Sequence, residues 1–288
     1  MKELIIISGK GGTGKTSLIA AFATLAQNKV LCDADVDAAD LHLIMNPDIV
    51  RRTDFISGHT AAIDKNKCSQ CGKCLDLCRF EAINEDFKIN PVDCVGCGVC
   101  VAFCPEKAID FPENMCGEWF CSDTRFGPMV HARLAIAAEN SGKLVTLVRQ
   151  ESKKLANEKN LDLIFTDGPP GVGCPVIASI GGADAVLVVT EPTLSGIHDM
   201  ERVIQLARHF KVPAMVCVNK FDLNLDLARD IENFAKNEGL PLVGKIPFDP
   251  IFTKAMVQGR TIFEHNGDSS AGRAVKKIWN ALSNKLDL

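Results

Sequence analysis

Residues 9–16 read GKGGTGKT, set between an apolar run at 3–8 (ELIIIS) and a helix-like stretch at 15–27 (KTSLIAAFATLAQ). Gly9, Gly14, Lys15 and Thr16 satisfy G-x4-G-K-[ST] in the strand–loop–helix context the pattern requires. Nucleotide phosphates are expected along Gly9, Lys10, Gly11, Gly12, Thr13, Gly14, Lys15, Thr16 and Ser17. Glycines let backbone N–H groups wrap the phosphates, and the helix N-terminus adds a favourable dipole. Lys15 is expected on the β- and γ-phosphates and Thr16 on Mg²⁺. A further strand at 30–34 (VLCDA) completes strand–loop–helix–strand, the opening of a doubly wound, mostly parallel α/β sheet.

Working outward, this rhythm stops after residue 63 and resumes after residue 111. Residues 119–134 read as a hairpin turning at Gly127-Pro128, and Ser141 opens a helix to about 159. Strands are expected at 161–166, 185–190, 214–218 and 242–246, with helices near 195–210, 224–238, 250–258 and 270–285. One discontinuous α/β domain (1–63 and 112–288) is thus interrupted by a small α+β insert (64–111).

The insert is a pseudo-repeat: CSQCGKCLDLCRFEAI echoes CVGCGVCVAFCPEKAI. Cys68, Cys71, Cys74 and Cys78 form C-x2-C-x2-C-x3-C; Cys94, Cys97, Cys100 and Cys104 repeat it and close with Pro105. That spacing is the bacterial ferredoxin signature for two [4Fe-4S] clusters. In two-cluster ferredoxins the fourth cysteine serves the other cluster. By that resemblance cluster one uses Cys68, Cys71, Cys74 and Cys104, and cluster two uses Cys94, Cys97, Cys100 and Cys78. A pair of zinc knuckles is the alternative, but zinc sites rarely show this triple-then-single spacing twice. Arg79 stands where a proline normally follows the fourth cysteine, which bears on the hydrogen bonding or potential of cluster two. Residues 64–111 carry eight acids against six bases, so a basic docking partner is one reading and plain solvation the other.

The phosphate loop with its second lysine resembles the deviant Walker A loop of the MinD/ParA/nitrogenase iron protein superfamily. That resemblance implies that Lys10 reaches the partner's nucleotide in trans, within a nucleotide-sandwich dimer of two identical chains or of related ones. Asp33 and Asp35 in CDADVDAADLHL match the family's switch I D-x-D, with Asp35 positioning the attacking water. Asp37 stands where the family has glycine. Asp167 in DGPPG matches switch II, implying Mg²⁺ binding through water, with Gly171 offering its N–H to the γ-phosphate. Asn219 in VNKFD matches an adenine-contacting position, and I-P-F-D at 246–249 resembles a loop near the adenine. ATP is expected, although N-K-x-D also occurs in GTPases. The likeness covers nearly the whole chain, and 167–222 resembles the subgroup with an inserted ferredoxin domain.

Five cysteines remain. Cys32 and Cys217 lie in apolar strands and read as packing residues. Cys174 follows Asp167 at the offset where the nitrogenase iron protein places an interfacial cluster ligand. An interfacial metal and a plain helix start before Pro175 are both open. Cys116 and Cys121 read as a metal pair or, more simply, as spare thiols.

Composition sets the outer limits. The 288 residues carry a net charge of −4, from 36 acids and 32 bases, which argues against nucleic acid. No stretch reaches a membrane span of about 20 apolar residues. A C-terminal helix with Val275, Ile278, Leu282 and Leu286 on one side is expected to pack on the sheet rather than on a membrane. The opening MKELIIIS lacks a signal-peptide pattern, and thirteen cysteines fit metal ligation in a reducing cytoplasm.

Three functions are weighed. The first is a P-loop ATPase, slow and partner-stimulated, that couples its nucleotide-dependent dimer to electron transfer with a protein acceptor or donor. The second is a carrier that loads an iron–sulfur or metal cofactor onto a target. The third is a redox-sensing positioning switch.

Overall fold

Four successive apolar residues, Leu4 to Ile7, are satisfied only by a strand covered on both faces. In the computed structural model, which describes residues 1–135 and 141–287, that strand is β1 (Lys2–Ile7). Alternate residues of a strand point to opposite faces. Leu4 and Ile6 accordingly enter one apolar core, and Ile5 and Ile7 another. All four are fully buried, each contributing about 1.5–3 kcal/mol.

The elements that follow are α1 (Lys15–Leu25), β2 (Lys29–Asp33), α2 (Leu41–Met45), β3 (Asp48–His59), β4 (Ala62–Ile63), α3 (Lys73–Leu77), α4 (Val99–Ala102), β5 (Ile109–Asp110), β6 (Glu113–Thr124) and β7 (Gly127–Leu134). Then come α5 (Ser141–Glu158), β8 (Leu163–Asp167), α6 (Cys174–Ile180), β9 (Ala185–Thr190), α7 (Leu194–His209), β10 (Ala214–Asn219), α8 (Leu225–Asn237), β11 (Leu242–Ile246), α9 (Ile251–Val257), α10 (Ile262–Asn266) and α11 (Ser270–Leu286).

Nine strands form one sheet in the order β11-β10-β9-β1-β8-β2-β7-β6-β3. From β11 to β7 every neighbouring pair is parallel. β1 sits between β8 and β9, where the strand order reverses, and ligand crevices open beyond strand ends at such a point. One face is covered by α1, α2, α10 and α11, the other by α6, α7 and α8. Val275, Ile278, Leu282 and Leu286 of α11 are buried on the sheet, and Trp279 packs 5.8 Å from Phe22 of α1. Among the described residues no helix is long and apolar enough to cross a membrane.

The described chain divides into two units. The first comprises residues 1–52, 119–133 and 141–287; the second comprises 53–118 and 134–135. Within the second, β4 and β5 pair antiparallel, and α3 and α4 start at equivalent points of the two repeat halves. Their caps, Gly72 and Gly98, share the left-handed conformation at φ 77° and 73°.

Three expectations need correction. The β6–β7 turn falls at Arg125-Phe126 rather than Gly127-Pro128, because Gly127 (φ 124°) already begins β7, where an added Cβ would meet Lys29 O at 3.1 Å. The hairpin also starts earlier, at Glu113 rather than 119. β3 was not expected at all: it is an edge strand, mostly exposed and rich in charge, so it lacks the alternating pattern that marks a half-buried strand.

Candidate functional site

In the first unit, the loop after β1 turns through two left-handed glycines, Gly12 (φ 76°) and Gly14 (φ 92°). Side chains are tolerated poorly there. Gly14 also has no room: a Cβ would lie 2.5 Å from Asn219 Nδ2. Gly9 is pressed against α7, and its Cβ would come within 2.7 Å of the Asp199 backbone. The loop is thus held from both sides in an open-handed curve whose backbone can surround an anion.

Strand register brings the acids to this loop. Asp167 is the Cα partner of both Ile6 and Asp33. Thr16 Oγ1 donates to Asp167 Oδ2 at 2.7 Å, whereas Asp167 Oδ1 is buried without a partner. Asp35 lies 3.6 Å from Lys15 Nζ. Asp33 accepts from the N–H groups of Asp35 and Leu41 at 3.2 and 3.3 Å. Burial raises the carboxyl of Asp167 to about 6, opposed by Lys15 and Thr16. Burial likewise raises Asp35, and it raises Asp33 with help from the neighbouring Asp167 and Asp35. A buried carboxylate oxygen with no donor, beside a threonine hydroxyl, is the donor set a hard divalent cation takes. The residues therefore fit Mg²⁺.

The opposite wall is built by two lysines on one acid. Glu191, just past β9, holds Lys10 Nζ at 2.5 Å and Lys220 Nζ at 3.1 Å. Lys220 also donates to Gly12 O at 3.1 Å, and Asn219 Nδ2 donates to Thr13 O at 2.7 Å. Lys10 is further flanked at 3.4 Å by the hydroxyls of Thr193 and Ser195. Gly171 is at φ 92°, and its N–H donates to Ser8 O at 3.0 Å. In this conformation that N–H is spent inside the chain rather than presented to a phosphate. A cleft of about 1240 Å³ runs from Gly11–Leu18 past Asn219 and Lys220 to Pro247, Phe248 and Phe252. At its far end Asp222 Oδ1 accepts from Phe248 N–H at 2.7 Å, tying the 246–249 segment to the end of β10.

Sequence reasoning missed Glu191 and the Asp222–Phe248 bond. Glu191 did carry a signal, being an acid directly after an apolar strand at the same sheet edge as the phosphate loop. Its partners, however, are far away in sequence.

The second unit gathers the eight repeated cysteines into two cavities. Cys68, Cys71, Cys74 and Cys104 line one of about 330 Å³. Cys78, Cys94, Cys97 and Cys100 line another of about 400 Å³. Each ring takes three thiols from one half of the repeat and its fourth from the other half. Among the described residues no three His, Cys, Asp or Glu side chains converge on a single-ion site. As free thiols, Cys74 and Cys100 are pushed up by burial.

The other cysteines do not gather. Cys174 is exposed at the start of α6. Cys116 Sγ donates to Ser57 O at 2.8 Å, while Cys121 accepts from Arg51 at 3.3 Å. Cys32 and Cys217 are buried, each pushed up to about 12 by burial.

Comparison with known proteins gives these likenesses. The CobQ/CobB/MinD/ParA nucleotide binding domain matches residues 4–262. Uncharacterized protein MJ0578 of Methanocaldococcus jannaschii is 32% identical, over 97% of this chain and 96% of its own length. Septum site-determining protein MinD of Bacillus subtilis is 23% identical, over 91% of this chain and 81% of its own. The structure of MinD from Pyrococcus horikoshii complexed with Mg-ADP superposes with a TM-score of 0.60 at 18% identity, covering 99% of this chain and 97% of that one.

Proposed function

The chain belongs to the CobQ/CobB/MinD/ParA nucleotide-binding family, and from that premise we propose that it is an ATPase whose nucleotide state governs electron transfer through two [4Fe-4S] clusters in its cysteine repeat. The observation that carries this reading is the crossed pair of four-thiol rings in the same chain as the phosphate loop.

The residues divide the work. Lys15 and the loop backbone neutralise and orient the phosphates. Thr16 Oγ1 and the partnerless Oδ1 of Asp167 would hold Mg²⁺. Asp35 positions and polarises the water that attacks the γ-phosphate, once Lys15 has turned from it to the phosphate. Lys10 leaves Glu191 and crosses to the nucleotide of a second chain, completing a sandwich dimer. The Gly171 N–H exchanges Ser8 O for the γ-phosphate, which makes the segment after Asp167 sensitive to that group. Asn219, and the loop that Asp222 anchors, accept the adenine. The eight thiolates would hold the clusters, which when bound supply one-electron transfer. The partner is a protein electron acceptor or donor. Cys174 serves as a metal ligand only if the dimer brings two copies together.

The test is anaerobic purification followed by iron and sulfide analysis and stopped-flow transfer from the reduced protein to a viologen acceptor, with and without MgATP. About eight irons per chain and an ATP-dependent transfer rate are expected. An iron-free chain, or a rate indifferent to ATP, removes the proposal. Delivery of iron to an apo-protein in place of electrons would favour the carrier reading instead.

A further inference from the structure

The two cysteine rings are built on equivalent backbone, so they serve as controls for each other. Gln70 and Gly96 occupy equivalent positions with φ 55° and 64°. Glu81 and Lys107 are likewise equivalent, at φ 53° and 48°. Against this common frame the hydrogen bonds to sulfur differ.

In the first ring Gln70 N–H donates to Cys68 Sγ at 3.4 Å, and Ala108 N–H donates to Cys104 Sγ at 3.3 Å. Among the described residues the equivalent donors, Gly96 and Ala82, make no such bond to Cys94 or Cys78. The packing supplies a reason at one position. Gly96 is pressed against the chain at His59, where a Cβ would come within 2.3 Å of the carbonyl oxygen. At the other, Arg79 replaces the conformationally fixed Pro105 after the fourth cysteine. The walls differ too. Lys73 and Glu106 border the first ring and offset each other in sign, whereas the second has only apolar neighbours beside its thiols, Leu77, Phe80, Ile83, Ile89, Val95 and Phe111 among them.

A reduced cluster carries one more negative charge than an oxidised one. N–H groups pointed at its sulfurs stabilise that charge and raise the potential. Apolar walls disfavour it, because they supply no dipoles in place of water. Resting on the cluster reading above, we propose that the ring of Cys68, Cys71, Cys74 and Cys104 has the higher reduction potential and holds the first electron. The ring of Cys78, Cys94, Cys97 and Cys100 is reduced second and is the stronger donor. Each step moves one electron from donor to cluster and breaks no bond in the protein.

The test is an EPR-monitored electrochemical titration of the anaerobic full-length protein, with the electrode as electron donor, alongside Cys71→Ser and Cys97→Ser. Both substituted thiols are exposed members of their rings. The wild type should take up one electron per chain in each of two resolved steps. Cys71→Ser should alter the signal of the first step and Cys97→Ser that of the second. If serine causes a cluster to be lost, the surviving step should be the later one in Cys71→Ser and the earlier one in Cys97→Ser. A single unresolved step, or the opposite assignment, overturns the order of potentials while leaving the clusters in place. A wild-type chain without iron overturns the underlying function as well.

Discussion

Lys10 Nζ and Glu191 Oε1 stand 2.5 Å apart within one chain. A lysine assigned to a neighbouring chain's nucleotide is thus held at home by an acid of its own chain, just past β9. Lys10 is about one-third exposed, and such partly solvated pairs are worth about 0.2–1 kcal/mol. Glu191→Gln should release it and tighten ATP-dependent self-association by about two- to fivefold. Sedimentation equilibrium with a non-hydrolysable ATP analogue reads this directly. Unchanged or weaker association would show that Glu191 does not restrain Lys10.

The Asp167 carboxyl, raised to about 6 chiefly by burial, gives binding a pH dependence of definite sign. Above that value the group is a carboxylate and can hold a cation; below it, the group is neutral and cannot. Mg²⁺-dependent ATP binding should therefore be strong at pH 7.5 and weaken as pH falls through about 6. Asp167→Asn should bind weakly across the range. Isothermal titration at three pH values suffices, and a flat wild-type profile would contradict the assignment.

Gly14→Ala tests the shape of the loop. Its φ of 92° is strained for alanine, and the added Cβ would lie 2.5 Å from Asn219 Nδ2. A cost of about 1–2 kcal/mol, felt mainly in the loop, corresponds to about a tenfold loss of nucleotide affinity. Affinity within twofold of wild type, measured with a fluorescent ATP analogue, would mean the loop adapts.

Stability rests on a buried ion cluster away from the loop. Arg149 grips Glu3 at 2.8 and 2.7 Å, and Lys153 and Thr166 complete the shell of the carboxylate. Burial would raise Glu3, yet its pKa is lowered, because Arg149 and Lys153 outweigh the desolvation. Arg149→Met leaves that charge inside with half its shell and should cost about 3–5 kcal/mol in urea unfolding. A loss below about 1 kcal/mol would mean that Lys153 and Thr166 satisfy Glu3 without Arg149.

How much of this the sequence could reveal depended on distance along the chain. Gly9 to Thr16 are contiguous and sit between two strong periodic segments, so the loop and its direction were readable. The Thr16–Asp167 pair was readable because each residue ends a recognisable local pattern. The crossed grouping of the cysteines was an expectation of the ferredoxin resemblance, because spacing alone does not supply the crossing. Glu191 and Asp222 look like ordinary turn residues until the sheet order places their strand ends next to the loop. β3 was hidden because an exposed edge strand needs no apolar alternation. The Gly171 N–H was assigned from a nucleotide-bound pattern, whereas here Ser8 O takes it.

Neither thiol ring belongs to one half of the repeat. Cys104 closes the hollow begun by Cys68, Cys71 and Cys74, and Cys78 closes the one begun by Cys94, Cys97 and Cys100. Severing the chain between the halves would therefore take a thiol from both rings at once, whereas a single cysteine substitution touches only one of them.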